Sequence, residues 1–340
     1  MKKTIINILS CIVVLSAIVL LLIYLGEVMR PTYNDISVVA VNTFKKLPED
    51  SVEVIIFGSS HAWRGVDSME MYKTEGIGAY NYGCNWQHLN TTELFVSNAM
   101  LTQKPKVALV EMYRVGDVLE DSNPDGEIYY TRSFENTEDK KRYLRTCFGD
   151  NKERYLAYYL PFALFHRNWE DLSDDNFCFD YVRNGSYMES MGYYGGLGNT
   201  DEDEEDNDKV RPVVEIPNWH EFWQQPLSDK SREELDRIMD CCNQNNTKVI
   251  FFTLPGVAAG EYIYGNAMKE YAEENGAVYL DFYDLADEAG LDGTTDFSDA
   301  EHLNRSGAGK IARYMAKYIK DNYEVTDFRT IEGNLWERTQ

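Results

Sequence analysis

Basic charge is what this sequence has least of. Lysine and arginine number 33 against 57 aspartates and glutamates, a formal net charge of −24 at pH 7. Nucleic-acid phosphates and anionic headgroups both reward clustered cations, so no nucleic acid and no tight electrostatic docking on lipid are expected. Cysteine is scarce too, at 6 residues. Cys11 lies in a long apolar run; Cys84, Cys147, Cys178, Cys241 and Cys242 remain, an odd set that makes no clean disulfide framework. No pair has zinc-ligand spacing with histidines nearby, and no metal or cofactor is expected. The run Asp201–Asp206 lacks the spaced ligands and central glycine of a calcium loop and reads as a solvated acidic stretch. The sequence has no internal repeat.

What it does have is one continuous apolar segment. Ile5–Leu25 is broken only by small or weakly polar residues such as Asn7 and Ser10. A helix of about 20 residues crosses a hydrocarbon core. Lys2 and Lys3 precede it, which predicts a cytoplasmic amino terminus and an external chain after Tyr24. The rival is a cleaved signal peptide, but the run is long for one and no small-x-small cleavage pattern follows. The expected layout is a transmembrane anchor over 1–27 and a juxtamembrane lead-in over 28–50, where Val38, Val39, Val41 and Phe44 rest on the domain. One folded domain over 51–325 and a carboxyl-terminal tail over 326–340 complete it.

Within that domain strands alternate with helices. Val52–Phe57 is continuously apolar, as a buried parallel strand is. Ala79–Tyr82, Lys106–Glu111, Lys248–Thr253 and Ala277–Asp281 read as further strands. Helices are expected over Leu89–Met100, with Asn90 and Glu93 at capping-box spacing, and after a second box at Ser231 and Glu234. Two more cover Asn266–Glu274 and the stretch from about Ser306, where Ile311, Tyr314, Met315, Tyr318 and Ile319 share a stripe. This alternation predicts an α/β chain, a three-layer α/β/α sandwich around a parallel sheet. An insertion over 112–227 interrupts it. Its aromatics, Tyr155, Tyr158, Tyr159, Phe162, Phe165 and Trp169, then Trp219, Phe222 and Trp223, are expected to form its core, the other reading being a sugar-stacking surface.

Two motifs fall beyond the carboxyl ends of strands, where ligands of parallel sheets bind. Gly58-Ser59-Ser60-His61 follows the first strand, and Asp299-Ala300-Glu301-His302-Leu303-Asn304 follows the fifth. A serine hydroxyl is a weak nucleophile until a base takes its proton. His302 is the candidate base, and Asp299 the acid that orients its ring. Asn304 or Ser306 would cap the next helix and fix the loop. His61 reads as a helix-entry residue, His88 is ambiguous, and His166 and His220 carry no motif.

These residues resemble the SGNH (GDSL-like) hydrolase superfamily, in particular its membrane-anchored extracytoplasmic branch, which includes proteins similar to D-alanyl-transfer and polysaccharide O-acetylation proteins. The resemblance covers roughly 50–115 and 230–322. It implies the SGNH hydrolase fold with a flavodoxin-like sheet. Ser60 takes the nucleophile's place and Ser59 stands where the family has an aspartate. Asp299 and His302 match the last block. Gly83, in Tyr80-Asn81-Tyr82-Gly83, matches the glycine whose amide enters the oxyanion hole. The family's third block, Gly-x-Asn-Asp, has no counterpart at Val110-Glu111-Met112-Tyr113; Asn85 is the substitute by position.

The expected function is thus a membrane-anchored, extracytoplasmic serine esterase or O-acyltransferase. Ser60, Asp299 and His302 are the expected catalytic residues, and Ser60, Gly83 and Asn85 the oxyanion hole. The branch resembled implies a cell-envelope polysaccharide or teichoic-acid-like substrate and a membrane acyl-donating protein as partner. The alternatives are a non-catalytic carbohydrate-binding or assembly protein on the same scaffold, and a lipid esterase.

Overall fold

The computed structural model describes residues 2–29, 36–116, 130–177, 190–193, 224–256 and 262–337. The acidic run 201–206, Trp219, His220, Phe222, Trp223 and Cys178 lie outside these residues. Helix α1 is Lys2–Met29 and α2 is Ile36–Phe44. Strand β1 (Val54–Phe57) leads into α3 (Ser60–Gly65) and α4 (Ser68–Glu75). Strand β2 (Ala79–Asn81), α5 (Leu89–Ala99) and β3 (Val107–Glu111) follow. The described part of the insertion holds α6 (Glu138–Phe148), α7 (Lys152–Tyr159) and α8 (Pro161–Phe165). Then come α9 (Asp229–Gln244), β4 (Lys248–Thr253), α10 (Gly265–Glu274) and β5 (Val278–Asp281). Short α11 (Ala286–Ala289) and long α12 (Arg305–Asn322) close the fold.

The strands form one parallel sheet in the order β2-β1-β3-β4-β5, the flavodoxin-like order. Side chains alternate across a strand, so both faces of a buried strand must be apolar. Val54 and Ile56 pack beneath Met71 of α4 and Ile311, Met315 and Ile319 of α12. Ile55 and Phe57 pack against Phe95 of α5 and Leu235 and Ile238 of α9. The molecule is therefore a three-layer α/β/α sandwich plus an apolar amino-terminal helix.

The five strands fall where the sequence places them, each end moving by no more than about two residues, as strand ends do. Both capping boxes are corrected. Helix α5 starts at Leu89 after His88, which makes no side-chain cap, and Asn90 and Glu93 are buried inside it. Glu93 pairs with Arg142 of α6 at 2.7 Å. Helix α9 starts before the expected box, because Ser228 Oγ accepts the Ser231 N–H at 3.0 Å. The stretch after α12 is no loose tail through Glu337. Trp336 is buried, and its indole N–H donates to Ala79 C=O at 2.9 Å. With Asn81 N–H donating to Met191 C=O at 2.8 Å, this closes the outer edge of β2 against a further strand.

The described insertion shares the main core. Tyr130, Phe134, Tyr143 and Phe148 cluster with Tyr82 and Phe95; of the aromatics singled out in the sequence, Tyr158 joins this cluster, Tyr155 packs against it and Phe165 is buried. Tyr159 and Trp169 are exposed. Val39, Val41 and Phe44 of α2 are buried on the domain, and Phe44 stacks on Tyr82 at 4.0 Å. Among the described residues no two cysteines are joined in a disulfide.

Candidate active site

The nucleophile turn is built by close approach of backbone to side chain. Gly58, at φ +142°, ends β1 under the side chain of Glu111 on neighbouring β3; a Cβ there would meet Glu111 Cβ at 2.5 Å. Only glycine fits both the angle and the space. Ser59 is the cap of α3, its Oγ accepting the His61 N–H at 3.3 Å. The same hydroxyl donates to Glu111 Oε2 at 2.8 Å, and Ser59 N–H donates to that oxygen at 3.1 Å. Tyr113 N–H donates to Glu111 Oε1. Buried Ser59 is thus tied down, and Ser60, the first residue of α3, is left at the surface of the turn.

The base arrives on a loop closed at its root. Phe297 and Leu303 form an antiparallel bridge, Ser298 N–H donates to His302 C=O at 2.9 Å, and Asn304 N–H donates to Asp296 C=O at 2.9 Å. Asn304 caps α12 by accepting from Ser306 and Gly307, as the sequence suggests. Asp299 Oδ1 accepts the backbone N–H groups of Glu301 and His302, both at 2.8 Å. That turn holds the carboxylate 2.9 Å from His302 Nδ1. His302 Nε2 lies 2.9 Å from Ser60 Oγ. With the ring proton on Nδ1 facing Asp299, the tautomer this network favours, the Nε2 lone pair faces the hydroxyl. Arg64 of α3 spans the two pieces, reaching Asp299 Oδ2 at 3.5 Å and Ser298 Oγ at 3.2 Å.

Burial alone would raise the Asp299 pKa. The hydrogen bond from the His302 ring, the two backbone N–H donors and the His302 charge outweigh it and hold the carboxyl well below the usual range. Glu111 goes the other way. Complete burial pushes it up to about 7 against the pull of its three donors. His61 is buried, stacked on Tyr113 at 3.7 Å between ring centroids, and 5.1 Å from the His302 ring. Burial, then the charge of His302, lowers its pKa well below the ordinary range, and its Nε2 has no hydrogen-bond partner.

The expected oxyanion donors divide. Ser60 N–H, at the open end of α3, donates to no acceptor among the described residues. Asn85 is exposed, and its Oδ1 accepts the Trp63 indole N–H at 3.1 Å, which leaves the Nδ2 hydrogens to donate outward. Gly83 N–H donates to Asn81 Oδ1 at 3.1 Å in this structure, and a Cβ there would sit 2.9 Å from Trp63 N. The packing of the β2 loop on α3 by itself requires a glycine at this position. The carboxylate of Glu111 is what sequence reasoning missed. Strand β3 supplies this carboxylate to the turn from the neighbouring strand. An acidic residue closing the otherwise apolar Val107-Ala-Leu-Val stretch was the available signal. No cluster of His, Cys, Asp or Glu suited to a metal occurs among the described residues.

This arrangement defines an α/β chain with a serine, an imidazole and a carboxylate in hydrogen-bonded series at the carboxyl edge of a parallel sheet. No protein-family model matches the chain, and no curated protein does. Among solved structures it is similar to one from Bacteroides fragilis described as a "putative acylhydrolase", at 11% identity and a TM-score of 0.40, over 83% of this chain and 94% of that one.

Proposed function

We propose that the chain is a serine esterase or O-acyltransferase of the SGNH hydrolase type, held at a membrane by α1 and acting on acyl groups of a cell-envelope glycopolymer. The observation that carries the reading is the series Ser60 Oγ, His302 Nε2 and Nδ1, Asp299, with both gaps at 2.9 Å. In this reading Ser60 Oγ attacks the acyl carbonyl while His302 Nε2 takes its proton. Asp299, ionised, stabilises the imidazolium. The oxyanion falls to Ser60 N–H and Asn85 Nδ2. Collapse expels the alcohol with the proton from His302 and leaves acyl-Ser60. Water then makes the chain an esterase; a sugar or polyol hydroxyl makes it a transferase. The polymer and a membrane acyl-donating partner follow from the family resemblance alone, and the extracytoplasmic side from that resemblance and from Lys2 and Lys3 ahead of α1.

A second reading, a non-catalytic carbohydrate-binding or assembly protein, draws on the commitment of the Gly83 N–H to Asn81. A fluorophosphonate probe separates the two. Catalysis requires covalent labelling that disappears in Ser60→Ala and His302→Ala and persists in Ser59→Ala. Folded wild-type chain that never labels would favour the binding reading.

A further inference from the structure

The carboxyl-terminal end of α1 does not leave the domain on a free tether. Side chains from Ile5 to Tyr24 are exposed apart from the half-buried Leu22, and burial begins at Gly26 and Val28. A Cβ on Gly26 would run into the backbone of Pro161 and Phe162, so α8 crosses α1 in direct backbone contact. Asn176 Nδ2 donates to Val28 C=O at 2.8 Å, and Arg132 pairs with Glu27 at 3.2 Å. The 3-10 turns His166–Asp171 and Asp174–Phe177 also pack on α1, and α7 packs on α8.

These same elements carry Leu156, Tyr159, Trp169 and Phe177, which are 60%, 53%, 59% and 54% exposed. Outside α1, the described residues expose only three other large apolar side chains, Trp86, Leu101 and Ile331. A concentration of this kind marks an interaction surface. Its position says what covers it. A helix of 28 residues spans about 42 Å, against roughly 30 Å of hydrocarbon. The cluster therefore lies on elements packed on, or one layer out from, the end of α1 where the helix meets the domain, the level at which tryptophan and tyrosine place an apolar body in lipid and a polar tip in water.

We propose that Leu156, Tyr159, Trp169 and Phe177 form a collar that inserts into the headgroup–acyl boundary of the bilayer crossed by α1. The attraction is apolar, and so compatible with the acidic chain and with uncharged lipid. The collar fixes the tilt of the domain on its anchor and keeps the Ser60 site at one height above the membrane. The inference rests on α1 spanning a bilayer; it does not require Ser60 to be catalytic.

The test uses the full chain in phosphatidylcholine nanodiscs, with and without brominated acyl chains. The Trp169 emission is isolated by difference from Trp169→Phe, and that of Trp86 from Trp86→Phe. The collar predicts a blue-shifted Trp169 component that loses most of its intensity to brominated lipid and little to aqueous iodide. Trp86 should show the reverse. Moving the reporter, with Phe177→Trp in the Trp169→Phe chain, should restore the lipid-quenched component if loss of Trp169 disturbs its own turn. A Trp169 component open to iodide and blind to brominated lipid overturns the collar. A component shielded from both also overturns it, because a protein face then covers the cluster. A chain that fails to co-purify with nanodiscs overturns the membrane anchor and the collar together, while Ser60 labelling would stand.

Discussion

The turn that carries the candidate nucleophile and the loop that carries the candidate base are braced in the same way, by a buried carboxylate, but the two braces differ in charge. In the base loop Asp296 is fully buried and accepts from Asp292 N–H at 2.7 Å, Ser306 Oγ at 2.8 Å and Lys310 Nζ at 2.6 Å. Its negative charge is matched by a cation. In the nucleophile turn Glu111 faces three neutral donors, Ser59 N–H, Ser59 O–H and Tyr113 N–H. Its charge is hydrogen-bonded but in no ion pair among the described residues, and the one cation that acts on it, Arg114, does so more weakly than any of the three donors. One brace is a fixed ion pair; the other can take up a proton near neutral pH. The comparison also separates two aspartates of one motif, Asp296 holding the loop and Asp299 holding the base.

The largest effect should follow from breaking the matched brace. Asp296→Asn leaves Lys310 without its partner, and breaking a buried pair costs about 3–5 kcal/mol. Lys310 is partly exposed and can turn toward water, so the loss should fall near about 3 kcal/mol, read as a fall in thermal midpoint together with loss of Ser60 labelling. An unchanged midpoint would mean that the loop is held by its backbone bridge alone. On the nucleophile side, Asn85→Ala removes a donor without touching either brace. If Asn85 serves the oxyanion, ester turnover should fall by about 10²–10³ with stability kept, because Asn85 is exposed. Turnover within twofold of wild type would remove Asn85 from the site.

The periodic parts of the fold were legible because a buried parallel strand must be apolar on both faces and its covering helix on one. Val54-Ile-Ile-Phe57 and the Ile311–Ile319 stripe carry that signal in a few residues. The capping boxes misled because Asn90 and Ser231 have the right spacing but lie inside helices whose starts are set by packing upstream. Ser60, Asp299 and His302 were legible as motifs, and their placement beyond strand ends followed from the sheet. Glu111 was not, because its role depends on β1 and β3 being neighbours, a fact of topology that no local spacing records. Gly83 carries a related ambiguity. A glycine required for close packing on Trp63 and a glycine required as a donor leave the same letter in the sequence.

The smallest effect, and the one that most sharpens the contrast, concerns the unmatched brace. Burial lifts Glu111 to about 7, above the ordinary carboxyl value, so the folded chain binds a proton that the unfolded chain releases. Between roughly pH 5 and 7 the contribution of Glu111 to stability must then fall as pH rises, by at most about 1.4 kcal/mol per pH unit for each such group, while His61, held low, contributes with the opposite sign. Glu93, also lifted by burial to about 7, should add a similar slope. Glu111→Gln keeps an acceptor for Ser59 and Tyr113 but cannot ionise. Its thermal midpoint should therefore decline less steeply across this range than that of wild type, the two chains agreeing near pH 5, where Glu111 is protonated, and diverging toward neutral pH. Asp299 works with the opposite sign. Its carboxyl is held low, so its contribution is present at neutral pH and is lost only as strong acid is approached. If Glu111→Gln follows the wild-type curve throughout, Glu111 stays ionised in the fold, its three donors suffice without a cation, and the two braces are energetically alike.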